Sequence, residues 1–211
     1  METKEFQRLI VVCSEFSELF PGQIIFIGGI AIYLHTIHVK NVKKLAETTH
    51  DADFYISLAA MGDLRDLEEV TPNARLSKHQ VIKSGFEFDI YTERHAKLIV
   101  PFSDVSNKAM RYEPFYVACL EHLLALKLEA YGERKNSSKG IKDAKDIIRI
   151  GLCAKSLGFS KNRYLLYKMN THEKWLEEII KSPAAIGLAQ GNSHTAKTYR
   201  ESVKKLLTSC R

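Results

Sequence analysis

The sequence predicts an α+β fold: a small mixed β-sheet core with flanking helices, followed by a helical C-terminal part. Three observations predict it. Residues 51–57 (DADFYIS) and 86–92 alternate apolar and polar side chains with period two, as half-buried strands do. Residues 5–20 repeat apolar side chains at three- and four-residue steps, as an amphipathic helix does. From Pro114 onward the short alternating runs give way to long helical ones. The expected division is a core over residues 1–112 and a helical domain over 113–211.

Taken in order, the first helix covers 5–20 and is stopped by Pro21 and Gly22. A short strand, 23–27 (QIIFI), runs into Gly28 and Gly29, and a helix opens around 30–34. The polar, lysine-rich stretch 38–50 reads as a loop. After the strand at 51–57, residues 58–70 read as a helix ended by Thr71 and Pro72. Strands at 79–83 and 86–92, joined by Ser84 and Gly85, form a β-hairpin. An edge strand is expected at 98–102. Helices are then expected at 115–131, 141–152, 163–181 and about 195–207.

The composition, 45% hydrophobic and 27% charged over 211 residues, is that of a globular protein with a real core. No apolar run approaches the roughly 18 residues of a membrane span. The opening METKEFQRLI lacks the long apolar stretch of a signal peptide, so a cytoplasmic protein is expected. Cys13, Cys119, Cys153 and Cys210 show no close spacing. They read as thiols in a reducing compartment rather than as a zinc or redox motif. Residues 1–113 carry 13 Lys and Arg against 16 Asp and Glu, a balance of −3. Residues 114–211 carry 18 against 9, a balance of +9. An acidic half joined to a basic half suits a metal–carboxylate site beside a polyanion-binding surface, and equally a solubilising lysine surface.

Two strands carry the chemistry. In DADFYI, Asp51, Asp53 and Tyr55 share one face; in FEFDIY, Glu87, Asp89 and Tyr91 do. If the acidic faces lie together in one sheet, Asp51, Asp53 and Asp89 converge. Close like charges need a cation among them, and oxygen-only ligands select Mg²⁺ or Mn²⁺. Two ordinary strands with solvated acids would look the same by this motif alone. Gly28 and Gly29, between a strand and a helix, suit close approach of a phosphate to free helix amides; a tight turn needs them too. There is no G-x-G-x-x-G and no P-loop. Lys127 falls on the apolar side of its helix, beside Leu123, Leu124, Ala130 and Tyr131, where its ammonium must reach water or an anion. A phosphate would be one such anion. Asp143 and Asp146 lie three apart on the next helix, crowded by lysines, a pattern common on solvated faces. Arg163, Tyr164, Tyr167, Lys168 and Trp175 interleave aromatic and basic side chains, as RNA contacts do and as ordinary helix packing also does.

In this order, IGGIAIYLH, THDADFYIS, FEFDIY, LEHLLALKLEAYGER and KDAKDIIRI resemble the nucleotidyltransferase superfamily of the DNA polymerase beta kind, and within it the AbiEii/AbiGii-type toxin branch. The resemblance covers roughly residues 24–150. It implies a nucleotidyltransferase core in which Gly28 and Gly29 hold the triphosphate and Asp51, Asp53 and Asp89 are the catalytic, metal-binding carboxylates. It further implies that Lys127 and Asp143, with Asp146 near it, serve the nucleotide. The implied cofactor is Mg²⁺ or Mn²⁺ and the implied substrate an NTP. The implied reaction is transfer of an NMP to an acceptor hydroxyl, with RNA such as tRNA suited to the basic half. A toxin–antitoxin or abortive-infection role, with a cognate antitoxin as partner, rests on the resemblance alone. The sequence departs from the family pattern at Gly29, where Ser is frequent, and at Glu47, where Arg is frequent. Two other readings fit the same residues: a nucleotidyltransferase-fold module that binds RNA or protein without turnover, and a small-molecule nucleotidyltransferase of the antibiotic-modifying sort.

Overall fold

Helix α1 (Lys4–Leu19) starts at Thr3, whose hydroxyl accepts the Phe6 amide, and it buries Phe6, Leu9, Val12, Cys13 and Phe16 along one stripe. That stripe is the lid of a β-sheet, as seen in a computed structural model that describes residues 3–73, 78–94 and 98–210, without the side chains of 209 and 210. The chain forms two compact units. One contains residues up to 34 together with 47–119; the other contains 35–46 and 120 onward.

The first unit is built on seven strands: β1 (Ile24–Ile27), β2 (Asp51–Ile56), β3 (Thr71–Asn73), β4 (Lys78–Lys83), β5 (Phe86–Tyr91), β6 (Met110–Tyr112) and β7 (Phe115–Val117). Their spatial order is β3-β4-β5-β2-β1-β7-β6. The sheet is mixed: β2 runs parallel to β5 and β1 parallel to β7, while the other neighbours are antiparallel. All four residues of β1 are buried, as expected of a central strand covered on both faces. On β2 and β5, alternation sends Ala52, Phe54, Ile56, Phe86, Phe88 and Ile90 to one face, all of them buried. Phe16 of α1 lies 5.8 Å from Phe54 and 4.9 Å from Phe88, ring to ring. Each such buried ring contributes about 1.5–3 kcal/mol over leaving it exposed. A slip of one residue would bury the acids and expose these rings, so the packing pins the register. The hairpin turn at Ser84 and Gly85 has both residues at positive φ, 54° and 82°, which matches the twist of a two-residue loop.

Helix α2 (Gly28–Ile37) follows β1 directly, and α3 (Leu58–Leu67) follows β2, with Ser57 accepting the Ala60 amide as its cap. Several expectations need correction. Residues 98–100 form bends, Pro101 caps a helix and Phe102 opens it, α4 (Phe102–Asn107), so there is no strand at 98–102. This segment covers the sheet instead: Tyr55 donates to the Val100 carbonyl at 2.6 Å. The helix expected over 58–70 stops at Leu67 with Glu68 as its C-cap, and Thr71 and Pro72, expected to end it, form the edge strand β3 instead, where a proline costs no ladder bond. The helix expected at 115–131 is β7 over its first three residues. Phe115, Tyr116 and Val117 are aromatic and β-branched, and Val117 pairs with Phe26. After β7 the first unit runs to Cys119 and the second resumes at Leu120.

The second unit contains α5 (Leu120–Arg134), α6 (Ser138–Leu157), α7 (Lys161–Leu165), α8 (His172–Lys181), α9 (Ala184–Leu188) and α10 (Ser193–Cys210). Residues 35–46 belong to it, and within the stretch 38–50 expected as a loop they contain a short 3-10 turn at Lys43–Leu45. The single helix expected at 163–181 is broken between α7 and α8. Asn170 and Thr171 stand at the break, and both residue types favour caps and turns over helix interiors. Among the described residues no helix is long and apolar enough to cross a membrane. Cys13, Cys119 and Cys153 are buried reduced thiols; the Cys210 side chain lies outside the described residues. Burial pushes the Cys153 thiol up to about 11, which keeps it protonated and inert at neutral pH.

Candidate active site

The parallel register of β2 and β5 places Asp53 opposite Asp89 and Asp51 opposite Glu87. Four carboxylates thus share one face of two adjacent strands, the arrangement expected from the alternation. Gly28 sits at the end of β1 with φ at +62°, a region an L side chain enters only under strain. A Cβ built there would stand 2.2 Å from Asp53 Oδ2, so only glycine lets the helix start close on this carboxylate. A Cβ on Gly29 would come within 3.1 Å of Thr49. Thr49 is buried and its hydroxyl donates to Asp51 Oδ1 at 2.6 Å. Gly28, Gly29, Asp51 and Asp53 are therefore neighbours, with Thr49 holding the first acid in place.

Asp89 is already engaged. Lys78 Nζ makes an ion pair with its Oδ2, and Gln80 Nε2 donates to its Oδ1 at 3.1 Å. Gln80 also donates to Glu87. Neither Lys78 nor Gln80 stood out in the sequence. The signal was there in the hairpin: a two-residue turn at 84 and 85 makes Gln80 the partner of Asp89 and sets Lys78 on the same face.

The donors on this face are all oxygens, which fits a hard divalent cation in chemistry. Among the described residues, no three His, Cys, Asp or Glu side chains gather into a preformed metal cage. The two facing aspartates need positive charge between them, and the Lys78 ammonium supplies some of it. A divalent ion held by Asp51, Asp53 and Asp89 would compete with that ammonium for Asp89.

Lys127, Asp143 and Asp146 meet inside the helical unit. Lys127 Nζ lies 3.0 Å from Asp143 Oδ1 and 2.8 Å from Asp146 Oδ2. Arg134 Nε donates to Asp143 Oδ2 at 2.7 Å, and Arg149 Nη1 donates to Asp146 Oδ1 at 2.8 Å. Arg149 Nε also donates to the Leu45 carbonyl at 2.7 Å. Exposure is 9% at Lys127, 1% at Asp143, 3% at Asp146 and 2% at Arg149. The pattern that reads as a solvated face is thus a buried network, and the anion that Lys127 reaches is a pair of carboxylates on α6. Burial works against both charged forms here. The two aspartates outweigh it and raise the Lys127 pKa; the Arg134 hydrogen bond and the Lys127 charge outweigh it and lower that of Asp143.

The residues suited to RNA contact are occupied in packing. Tyr164 is fully buried, Arg163 pairs with Glu121 at 3.2 Å, and Lys168 pairs with Glu173. Tyr167 packs edge-on against His122, and Trp175 lies 5.6 Å from the His172 ring. His172, 0% exposed, has Nε2 2.9 Å from Glu129 Oε1 and Nδ1 2.8 Å from the Tyr164 hydroxyl. The Met169 amide also donates to Nδ1, which makes that nitrogen an acceptor and the ring neutral. Burial lowers the His172 pKa against the opposing pull of Glu129. A histidine held neutral in the fold binds its proton first in the unfolded chain. Stability is therefore expected to fall as pH drops below about 6.5, and to level off below the folded pKa. Urea unfolding at pH 7.5 and 5.5 measures the drop, and His172→Gln should shrink it; an equal drop in the variant would place the sensitive group elsewhere.

No family model matches the chain, and no curated protein matches it.

Proposed function

We propose that the protein is a metal-dependent nucleotidyltransferase that moves an NMP from an NTP to an acceptor hydroxyl. The observation that carries this reading is the register of β2 and β5, with Asp53 facing Asp89 and Gly28 closed against the Asp53 carboxylate. Such a pair costs stability through like-charge repulsion, and a binding site for a cation and its phosphates explains why the fold keeps it. Asp51, Asp53 and Asp89 would hold Mg²⁺ or Mn²⁺, which when bound supplies charge neutralisation at the α-phosphate and lowers the acceptor's pKa. The amides at the start of α2, opened by Gly28 and Gly29, would receive the phosphates. In the reaction, a bond forms between the acceptor oxygen and the α-phosphorus, the bond to pyrophosphate breaks, and the acceptor proton leaves to solvent. The same carboxylates orient the acceptor in line with the leaving group.

Lys127 and Asp143, which the resemblance assigns to the nucleotide, take a structural role in this reading because they satisfy each other. RNA, tRNA included, is the acceptor class we favour, on the excess of Lys and Arg after residue 113. The Lys78–Asp89 pair supports a second reading, a binding module in which an internal ammonium has replaced the metal.

Incubation with each α-labelled NTP, Mg²⁺ and total RNA tests the choice. The transferase reading expects label in the RNA fraction and stoichiometric pyrophosphate. RNA binding that weakens with salt, without label transfer for any NTP, would favour the module.

A further inference from the structure

A shallow cleft of about 340 Å³ opens in the sheet unit, lined by Leu58, Met61, Gly62, Arg65, His79, Thr92 and Arg94. Positions 58, 61, 62 and 65 follow the spacing of one face of α3. His79 pairs with Ile90 across β4 and β5, so it lies on the sheet face opposite Asp89. Thr92 continues that alternation at the end of β5. The cleft and the acidic face are therefore on different sides of the sheet.

Its chemistry differs as well. Among the described residues, no carboxylate lines it. Among the described residues, neither Arg65 nor Arg94 has an acidic partner; Arg65 Nη2 donates to His79 Nε2 at 3.2 Å, which orients its guanidinium. The planar guanidinium fork suits bidentate recognition of an anion, and two of them line this concavity. Leu58 and Met61 add an apolar floor, and a Cβ at Gly62 would meet nothing within 4 Å, so the space above that glycine is open. The volume lies in the range of small-molecule pockets.

We propose that this cleft is a second ligand site, taking a small phosphate monoester whose anionic group binds Arg65 and Arg94 and whose apolar group covers Leu58 and Met61. It stands independently of the nucleotidyl-transfer reading.

Phenyl phosphate is the probe, titrated calorimetrically into the full chain without metal. Saturable one-to-one binding is expected, tighter than for inorganic phosphate. Arg65→Ser and Arg94→Ser should each weaken it at least about tenfold, since each removes charge-assisted hydrogen bonds. Gly62→Leu, which fills the open space but removes no charge, should block it. Asp89→Asn should leave it unchanged. All of these positions are at least partly exposed, so the unliganded melting temperatures report that the variants are folded. Absence of saturable binding in the wild type would overturn the proposal. So would binding that survives Gly62→Leu, which would put the anion on surface charge outside the cleft.

Discussion

Asp53→Ala and Asp89→Ala are each expected to lower nucleotidyl transfer by at least about 10²–10³-fold, the scale on which a single charge-stabilising group acts in catalysis. Their effects on stability should differ. Asp53 faces Asp89 directly, so losing it relieves repulsion, and the melting temperature without metal should equal or exceed that of the wild type. Asp89 also neutralises Lys78, whose side chain is only 10% exposed. Asp89→Ala leaves that ammonium short of a partner and should melt lower than Asp53→Ala. Paired activity and melting measurements check both halves. Full transfer by either folded variant would remove these residues from the chemistry.

Lys127→Met is the substitution with the largest expected cost in stability, about 3 kcal/mol. It leaves Asp143 and Asp146 buried a short distance apart with the central cation gone. Each acid keeps one arginine, Arg134 or Arg149, which holds the cost to the lower end of the range for a broken buried pair. The pH limits follow from the shifts. Lys127, with its pKa raised in the fold, contributes stability that is complete below the unfolded value of about 10.4 and lost as pH rises through the folded one. Asp143, with its pKa lowered, contributes stability that is complete above about 3.9 and lost as pH falls. Denaturant unfolding of wild type and variant at pH 7 measures the difference. A change below about 1 kcal/mol would mean that water, not the pair, solvates these groups.

The two strands that carry Asp51, Asp53 and Asp89 were legible because each has one wholly apolar face, and period-two alternation assigns the other face without further information. Their adjacency was not legible. Parallel pairing of β2 with β5 joins residues far apart in the chain, and no local pattern encodes which strands meet. The burial of Asp143 and Asp146 was hidden for a similar reason. Lysines at 139, 142 and 145 mark α6 as solvated, yet its other face is closed by α5, whose Lys127 answers both acids. The strand β7 was lost because Phe115, Tyr116 and Val117 run straight into a helix, and a three-residue strand leaves no period to read.

The claim at the centre is that Asp53 and Asp89 form a metal and nucleotide site. Thermal unfolding of wild type and Asp53→Ala with each NTP, with and without Mg²⁺, tests it most directly, because a ligand that binds only the folded state must raise its stability. The account predicts a rise that needs Mg²⁺, favours one NTP, and is absent in Asp53→Ala. A wild type that melts at the same temperature under every condition, or a variant that rises equally, would contradict it.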